Sequence, residues 1–371
     1  MKNKLLITSA LAGSLFAGSA LAQTTITGSL DLTYNALSKD LAGGLASNRG
    51  IGRETQINVQ NKGKTNIAGV DYAAGFALEF DGTTTSSATV STAPDNSMTN
   101  ENVYVDLIIG NTTLTMGLDH IQRGYAGATP QIVNITDQMA GAGSQTTFVL
   151  GAKTSEMAGV GIMQKIPGVG ITASYYYAPK GQDVGIADMG SQSTMLGTNS
   201  SYEFGINGAD TFGVNGLTVV AFKNKQEKSE TAVLGDIEGK QYGVGYNFGQ
   251  FAVGIDKLIE KNMNLAAGVT ANPNGESSSR GIERDTQRVG VTFAVNKDLT
   301  VGLVQTKTDN SGSATASHNG TEKVQAIQVG YSLGPVALSL THAKFDDLAT
   351  RTGTTVSDNG TLSIARLSTR F

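Results

Sequence analysis

Few residues in this chain are suited to acid–base or nucleophilic chemistry. It has three histidines, His120, His318 and His342, and no cysteine. Histidine is the usual base that activates a serine or threonine nucleophile. Here no Gly-x-Ser-x-Gly elbow and no His-Glu-x-x-His pair accompanies it. His120 falls at a strand end, His318 in a serine-rich loop, and His342 on an outward register near the outer rim. Without cysteine, the mixed Cys/His sets that hold zinc cannot be assembled. Gly168-x-Gly170 and Gly243-x-Gly245 faintly resemble nucleotide loops, but both lie inside or beside strands with no helix following. Carboxylates such as Asp346-Asp347 read as solvated acids. No catalytic residue, metal site or cofactor is expected, and a hydrolase is the weakest of the functional classes.

The remaining ionisable residues are spaced along strands. Ile26, Leu30, Leu32 and Tyr34 alternate with Thr27, Ser29, Asp31 and Thr33. Val70, Tyr72, Ala74, Phe76, Leu78 and Phe80 alternate with Asp71, Ala73, Gly75, Ala77 and Glu79. Period two is the mark of strands with one apolar and one polar face. Proline is scarce at 6 residues against 47 glycines, which suits long hydrogen-bonded ladders.

The chain opens with a leader pattern. Lys2 and Lys4 precede an apolar run from Leu5 to Leu15, and Ala20-Leu21-Ala22 supplies a small-x-small cleavage site. Residues 1–22 are therefore expected to be a cleaved signal peptide and 23–371 the mature domain. Losing two lysines takes the formal net charge from −4 to −6, which disfavours nucleic acid as a partner. After the leader no stretch approaches the ~20 apolar residues of a membrane helix.

A soluble sandwich also alternates. Here the strands run to about ten residues, long enough to cross a bilayer at a tilt, and many inward positions are small or polar, as a wet lumen requires. No short fixed repeat supports a β-solenoid. The fold expected is all-β: a transmembrane antiparallel barrel with short periplasmic turns and long extracellular loops. Such barrels need an even strand number and strictly alternating long and short connections. Eighteen candidate strands break the alternation. Setting aside Phe148–Lys153 and Leu265–Val269 restores it with sixteen, near 24–36, 53–62, 66–81, 101–110, 112–119, 159–166, 169–178, 201–208, 216–225, 240–248, 251–260, 286–296, 298–308, 323–333, 336–345 and 360–371.

Three stretches carry a family likeness. They are Thr25-Ile26-Thr27-Gly28-Ser29-Leu30-Asp31-Leu32 after the cleavage site, Leu114-Thr115-Met116-Gly117-Leu118-Asp119, and the closing Arg366-Leu367-Ser368-Thr369-Arg370-Phe371. In order and spacing the chain resembles the general porins of Gram-negative outer membranes. The likeness implies a sixteen-stranded barrel forming a homotrimer among outer-membrane lipid and lipopolysaccharide. It implies diffusion of small hydrophilic solutes and ions, and a terminal Phe371 that the barrel-insertion machinery reads. It also implies that the third long connection, 120–158, folds into the barrel; Asp137 is the loop's candidate to face the pore, and an ordinary surface loop is the alternative. The family's acidic cluster at the loop tip and its arginine wall on the first four strands are not evident here.

Parity assigns the faces. Tyr72, Phe76, Tyr202, Phe204, Tyr246, Phe248, Phe251, Phe293, Tyr331 and Phe371 take the outward register and are expected to form interfacial girdles. Inward come the acids Asp31, Glu54, Asp71, Glu79, Asp106, Asp119, Glu203 and Asp256, against the bases Lys165, Arg288, Arg366 and Arg370. A lumen with more carboxylates than bases favours cations, so a weak cation preference is expected unless Arg49, Arg53 and Arg123 lean inward and reverse it. An adhesin that grips partners with its loops is the alternative; loop composition neither supports nor opposes it.

Overall fold

The computed structural model describes residues 23–40, 48–81, 99–118, 127–135, 158–179, 200–227, 236–263, 282–311, 320–348 and 358–371. Residues 1–22, most of each long connection, and Asp119, Asp137, His120, His318 and Arg123 lie outside the described residues.

Sixteen strands follow in order: β1 (Gln23–Asp40), β2 (Asn48–Lys64), β3 (Val70–Asp81), β4 (Thr99–Ile109), β5 (Thr112–Leu118), β6 (Ala158–Ile166), β7 (Ile171–Ala178), β8 (Ser201–Gly208), β9 (Leu217–Gln226), β10 (Ile237–Phe248), β11 (Phe251–Met263), β12 (Ile282–Ala294), β13 (Leu299–Ser311), β14 (Gly320–Leu333), β15 (Val336–Leu348) and β16 (Asp358–Arg370). Each pairs antiparallel with its neighbours in sequence, and β1 closes the ring on β16. The barrel thus has no free edge, which a bilayer demands because unpaired backbone groups in hydrocarbon cost several kcal/mol each. No described helix is long and apolar enough to cross a membrane.

The short connections all lie at one end. Gly249 and Gly334 take φ 63° and 72° in two-residue turns, the left-handed conformation such hairpins need. The turn after β8 is longer and holds a 3-10 turn, Thr211–Gly213. Several strands outrun the ranges expected from hydropathy at the looped end. β1 continues to Asp40, β2 begins at Asn48 and β14 begins at Gly320. Ladder hydrogen bonds persist there after the apolar alternation has stopped.

The seam is sealed by the last residue. Gly28 N–H donates to Phe371 O at 2.6 Å, and Phe371 N–H donates to Gly28 O at 3.0 Å. The phenylalanine ring covers Gly28, where any Cβ would collide with it. At the turn end of β10–β12, Tyr246, Phe248, Phe251 and Phe293 form a ring stack with centroid spacings of 5.8, 5.7 and 4.6 Å.

Candidate functional site

The inside of the barrel is not uniformly wet. Residues 127–135, part of the third long connection, run along the inner wall of β10–β16. Two side chains clamp their backbone. Asp256 on β11 accepts from Ala128 N–H at 2.5 Å and Thr129 N–H at 2.8 Å. Its carboxylate also takes Arg288 Nη2 of β12 at 2.8 Å, with both side chains buried. Further along, the Gln328 amide of β14 accepts from Ile132 N–H at 2.9 Å and donates to Val133 O at 2.7 Å. One fully buried glutamine thus reads the loop backbone in both directions.

Between the clamps the wall is stripped to backbone. A Cβ on Gly254 would lie 2.6 Å from Ala128 O, and one on Gly290 2.5 Å from Pro130 O. Gly245 meets Ala128 O in the same way, and Gly330 lies against the Ile132 side chain. These inward glycines on β10, β11, β12 and β14 form a trough that holds the segment. Beyond it Ile135, 1% exposed, packs with Val304, Val324, Ala326, Ala343, Phe345, Leu362 and Ile364 from β13–β16. Ala128 packs at the other end on Val220, Phe222 and Leu258. This half of the inner wall packs against the segment, with buried polar side chains such as Gln241, Glu260 and Thr306 beside the apolar ones.

The opposite side stays open. A cavity of about 1320 Å³ lies between Pro130–Asn134 and the inner faces of β16, β1 and β2, and it opens at the short-turn rim by Lys297, Asp298 and Gly334. Ser29, Gln56, Asn58 and Ser368 give it hydrogen-bonding groups; Asp31, Glu54, Arg366 and Arg370 give it charge. Arg366 is ion-paired to Asp31 across the β1–β16 seam. Asp298 and Lys297 stand 3.7 Å apart at the rim. Among the described residues, charges of both signs therefore line the cavity in equal number.

The register places Asp31, Glu54, Asp71, Glu79, Asp106, Lys165, Glu203, Asp256, Arg288, Arg366 and Arg370 on the inner face. They do not form one group. Asp256 and Arg288 are spent on the loop, and Glu203 is buried. Asp106 accepts from Thr115 at 2.6 Å, and only Asp31, Glu54, Arg366 and Arg370 of the set border the cavity. Sequence reasoning missed Lys62, Lys64, Glu260, Arg284 and Glu322, which also face inward. The described inner wall then carries nine acids and seven bases, so the excess of carboxylates is smaller than expected. Arg49 and Arg53 do not lean inward: they stand opposite Ala36 and Leu32 on the outer face. His342 lies mid-strand on β15 rather than near the rim, beside Ser363 at 2.9 Å. Ile132, Ile135, Gln328 and the glycine trough were also missed. The available signal was apolar residues on both parities of β13–β16, and the very Gly243-x-Gly245 pattern dismissed as a nucleotide loop.

A family model described as Gram-negative porin matches residues 8–258. No curated protein sequence matches the chain. Among solved structures, a Salmonella typhi OmpF complex with daunomycin superposes with a TM-score of 0.64 at 11% identity, covering 94% of this chain and 97% of that one. A loop-deletion mutant of OmpT, an outer membrane protein of Vibrio cholerae, gives 0.56 at 14% identity over 94% and 99%. A mutant of the Rh. blastica porin gives 0.55 at 14% identity over 94% and 100%.

Proposed function

This chain belongs to the Gram-negative porin family and is a porin of the outer membrane, and on that premise we propose that it conducts through the off-axis path between residues 130–134 and β16, β1 and β2. Family and fold point to a channel rather than an enzyme. The observation that carries the proposal is the polar cavity left open beside the seated loop. Its hydroxyl and amide groups replace part of a solute's hydration shell without binding it, so small hydrophilic solutes and ions pass by diffusion. Charges of both signs balance along the cavity, so the cation preference is weak and rests on the inner-wall carboxylates Asp71, Glu79 and Asp106 beyond it. The remaining inner-wall candidates, Asp71, Glu79, Asp106 and Lys165, act on ions in the vestibules.

The working unit is a homotrimer in outer-membrane lipid. Residues 1–22 are removed on export, and Phe371 is the signal that the insertion machinery reads. Planar-bilayer recording of refolded protein tests the channel itself. Stepwise, ohmic conductance is the expected result, and a silent bilayer with correctly folded protein overturns it.

A further inference from the structure

Removal of residues 1–22 leaves Gln23 as the first residue of the chain, and β1 begins there. Glutamine in that place is chemically distinct from glutamine elsewhere. Its free α-amine and its side-chain carboxamide belong to one residue, and joining them closes a small lactam ring. Proximity of that kind turns a bimolecular step into an intramolecular one.

The register shows what that amine meets. Gln23 stands directly opposite Lys62 in the β1–β2 ladder. Both take the inward parity, in line with Thr25, Thr27 and Ser29 on β1 and with Asn58 and Gln60 on β2. The other ladder neighbour of Lys62 is Ala73, so no acid stands opposite it on either side. Lys64, the next inward base, faces Asp71. An α-ammonium on Gln23 therefore sets a second positive charge against Lys62 at the short-turn mouth of the barrel. Like charges directly opposite in a sheet destabilise it.

The residue is also free to react. Thr24 is held, because Asn61 Nδ2 donates to its hydroxyl at 2.8 Å while Asn61 Oδ1 accepts from Tyr72. One residue further out the holding stops. The Gln23 side chain is exposed, and among the described residues its amide has no hydrogen-bond partner. With β1 pinned at Thr24, the carboxamide can swing back onto its own amine without giving up a side-chain contact. The lactam keeps an N–H at the backbone nitrogen, so the ladder end loses charge and retains a donor.

We propose that the mature chain is modified at Gln23 to pyroglutamate, which removes the terminal charge beside Lys62. The α-amine nitrogen attacks the side-chain carboxamide carbon, the C–N bond of the carboxamide breaks, and ammonia leaves with a proton from the amine. No oxidant or co-reactant is needed. The product is neutral at the nitrogen that was the α-amine. The proposal rests on the cleavage after Ala22, and the experiment separates the two. The full chain is expressed with its own leader in a Gram-negative host, extracted from outer membranes, and analysed at once by intact mass and Edman degradation. The expected mass is that of residues 23–371 less one ammonia. No Edman signal should appear until pyroglutamyl aminopeptidase is added, after which the reading begins Thr-Thr-Ile-Thr. A free Gln-Thr-Thr-Ile start overturns the proposal and leaves the cleavage standing, whereas a start at any other residue overturns both. A lactam that forms only on storage of the purified protein overturns it as a property of the exported barrel. Q23A cannot cyclise and keeps its α-ammonium opposite Lys62. Across a KCl gradient at low salt its cation-to-anion permeability ratio should fall below that of the wild type, and Q23A/K62Q should recover it. An unchanged ratio in Q23A overturns the influence of the lactam on the mouth.

Discussion

The seated loop can be released without touching the ladder that holds the barrel. The perturbation is Asp256→Ala, Arg288→Ala and Gln328→Ala together. Removing Asp256 alone takes its carboxylate away from the buried Arg288 guanidinium, and breaking a buried ion pair costs about 3–5 kcal/mol. Removing both avoids that and isolates the loop. Two charge-assisted bonds from Ala128 and Thr129 are then lost, about 1.5–3 kcal/mol each, and two good bonds to Gln328 at about 1 kcal/mol each. The loss is about 5–8 kcal/mol. Burial of Ile135 returns about 1.5–3 kcal/mol, so the segment no longer stays in its trough. Single-channel recording should show a larger, noisier conductance, and liposome swelling should admit larger sugars. The melting temperature should move by only a few degrees, since the closed ladder is intact. Deleting residues 128–142 should enlarge the channel equally but without the added noise. If the triple variant matches the wild type in conductance, noise and size cut-off, the loop does not bound the path. Collapse of the barrel would instead make the loop part of its stability.

Three further outcomes follow from the register. Phe76→Arg, near the middle of β3 on the outer face, should cost about 2–4 kcal/mol of folding into liposomes; wild-type folding would place residue 76 inside. Deleting Phe371 uncovers Gly28 and removes two seam bonds, so insertion by purified assembly machinery should slow markedly, and an unchanged rate would leave the seam without that role. Across a KCl gradient the reversal potential should show a weak cation preference that grows at low salt, where the Debye length is longer, and Arg366→Gln should strengthen it by freeing Asp31. A clear anion preference would show that the remaining bases, not the carboxylates, set the field.

Much of the barrel was legible because lipid imposes a strict rule. Every second residue of a spanning strand must be apolar, and Val70 to Phe80 obeys it without exception. Strand number followed from the alternation of long and short connections, and the seam from a chain ending in strand at Phe371. Strand ends were not legible. Beyond the lipid, both faces of a strand meet water, so Gly320 to Lys323 carries no hydropathy signal although its ladder is complete. The loop seat was hidden for a different reason. An inward glycine satisfies a wet lumen as readily as a trough for backbone, and Gly254 or Gly290 alone cannot tell the two apart.

The apolar inward residues could have separated them. A water-filled barrel has no use for Val304, Val324, Phe345, Leu362 and Ile364 on its inner face, since burying them returns nothing unless something dry lies against them. Their clustering on β13–β16, next to inward glycines on β10–β14, requires a segment of chain across that half of the lumen. The other half, from β1 to β8, keeps Ser29, Gln56, Asn58 and Gln60 inward and has no comparable apolar cluster among its described residues. A loop held on one side must displace the channel to the other. The off-axis position of the path is therefore a consequence of how the inner wall divides its apolar and polar residues. On this reading the charges that border the path are the few on β16, β1 and β2, while the buried pairs Asp256–Arg288 and Glu260–Arg284 hold structure on the loop side.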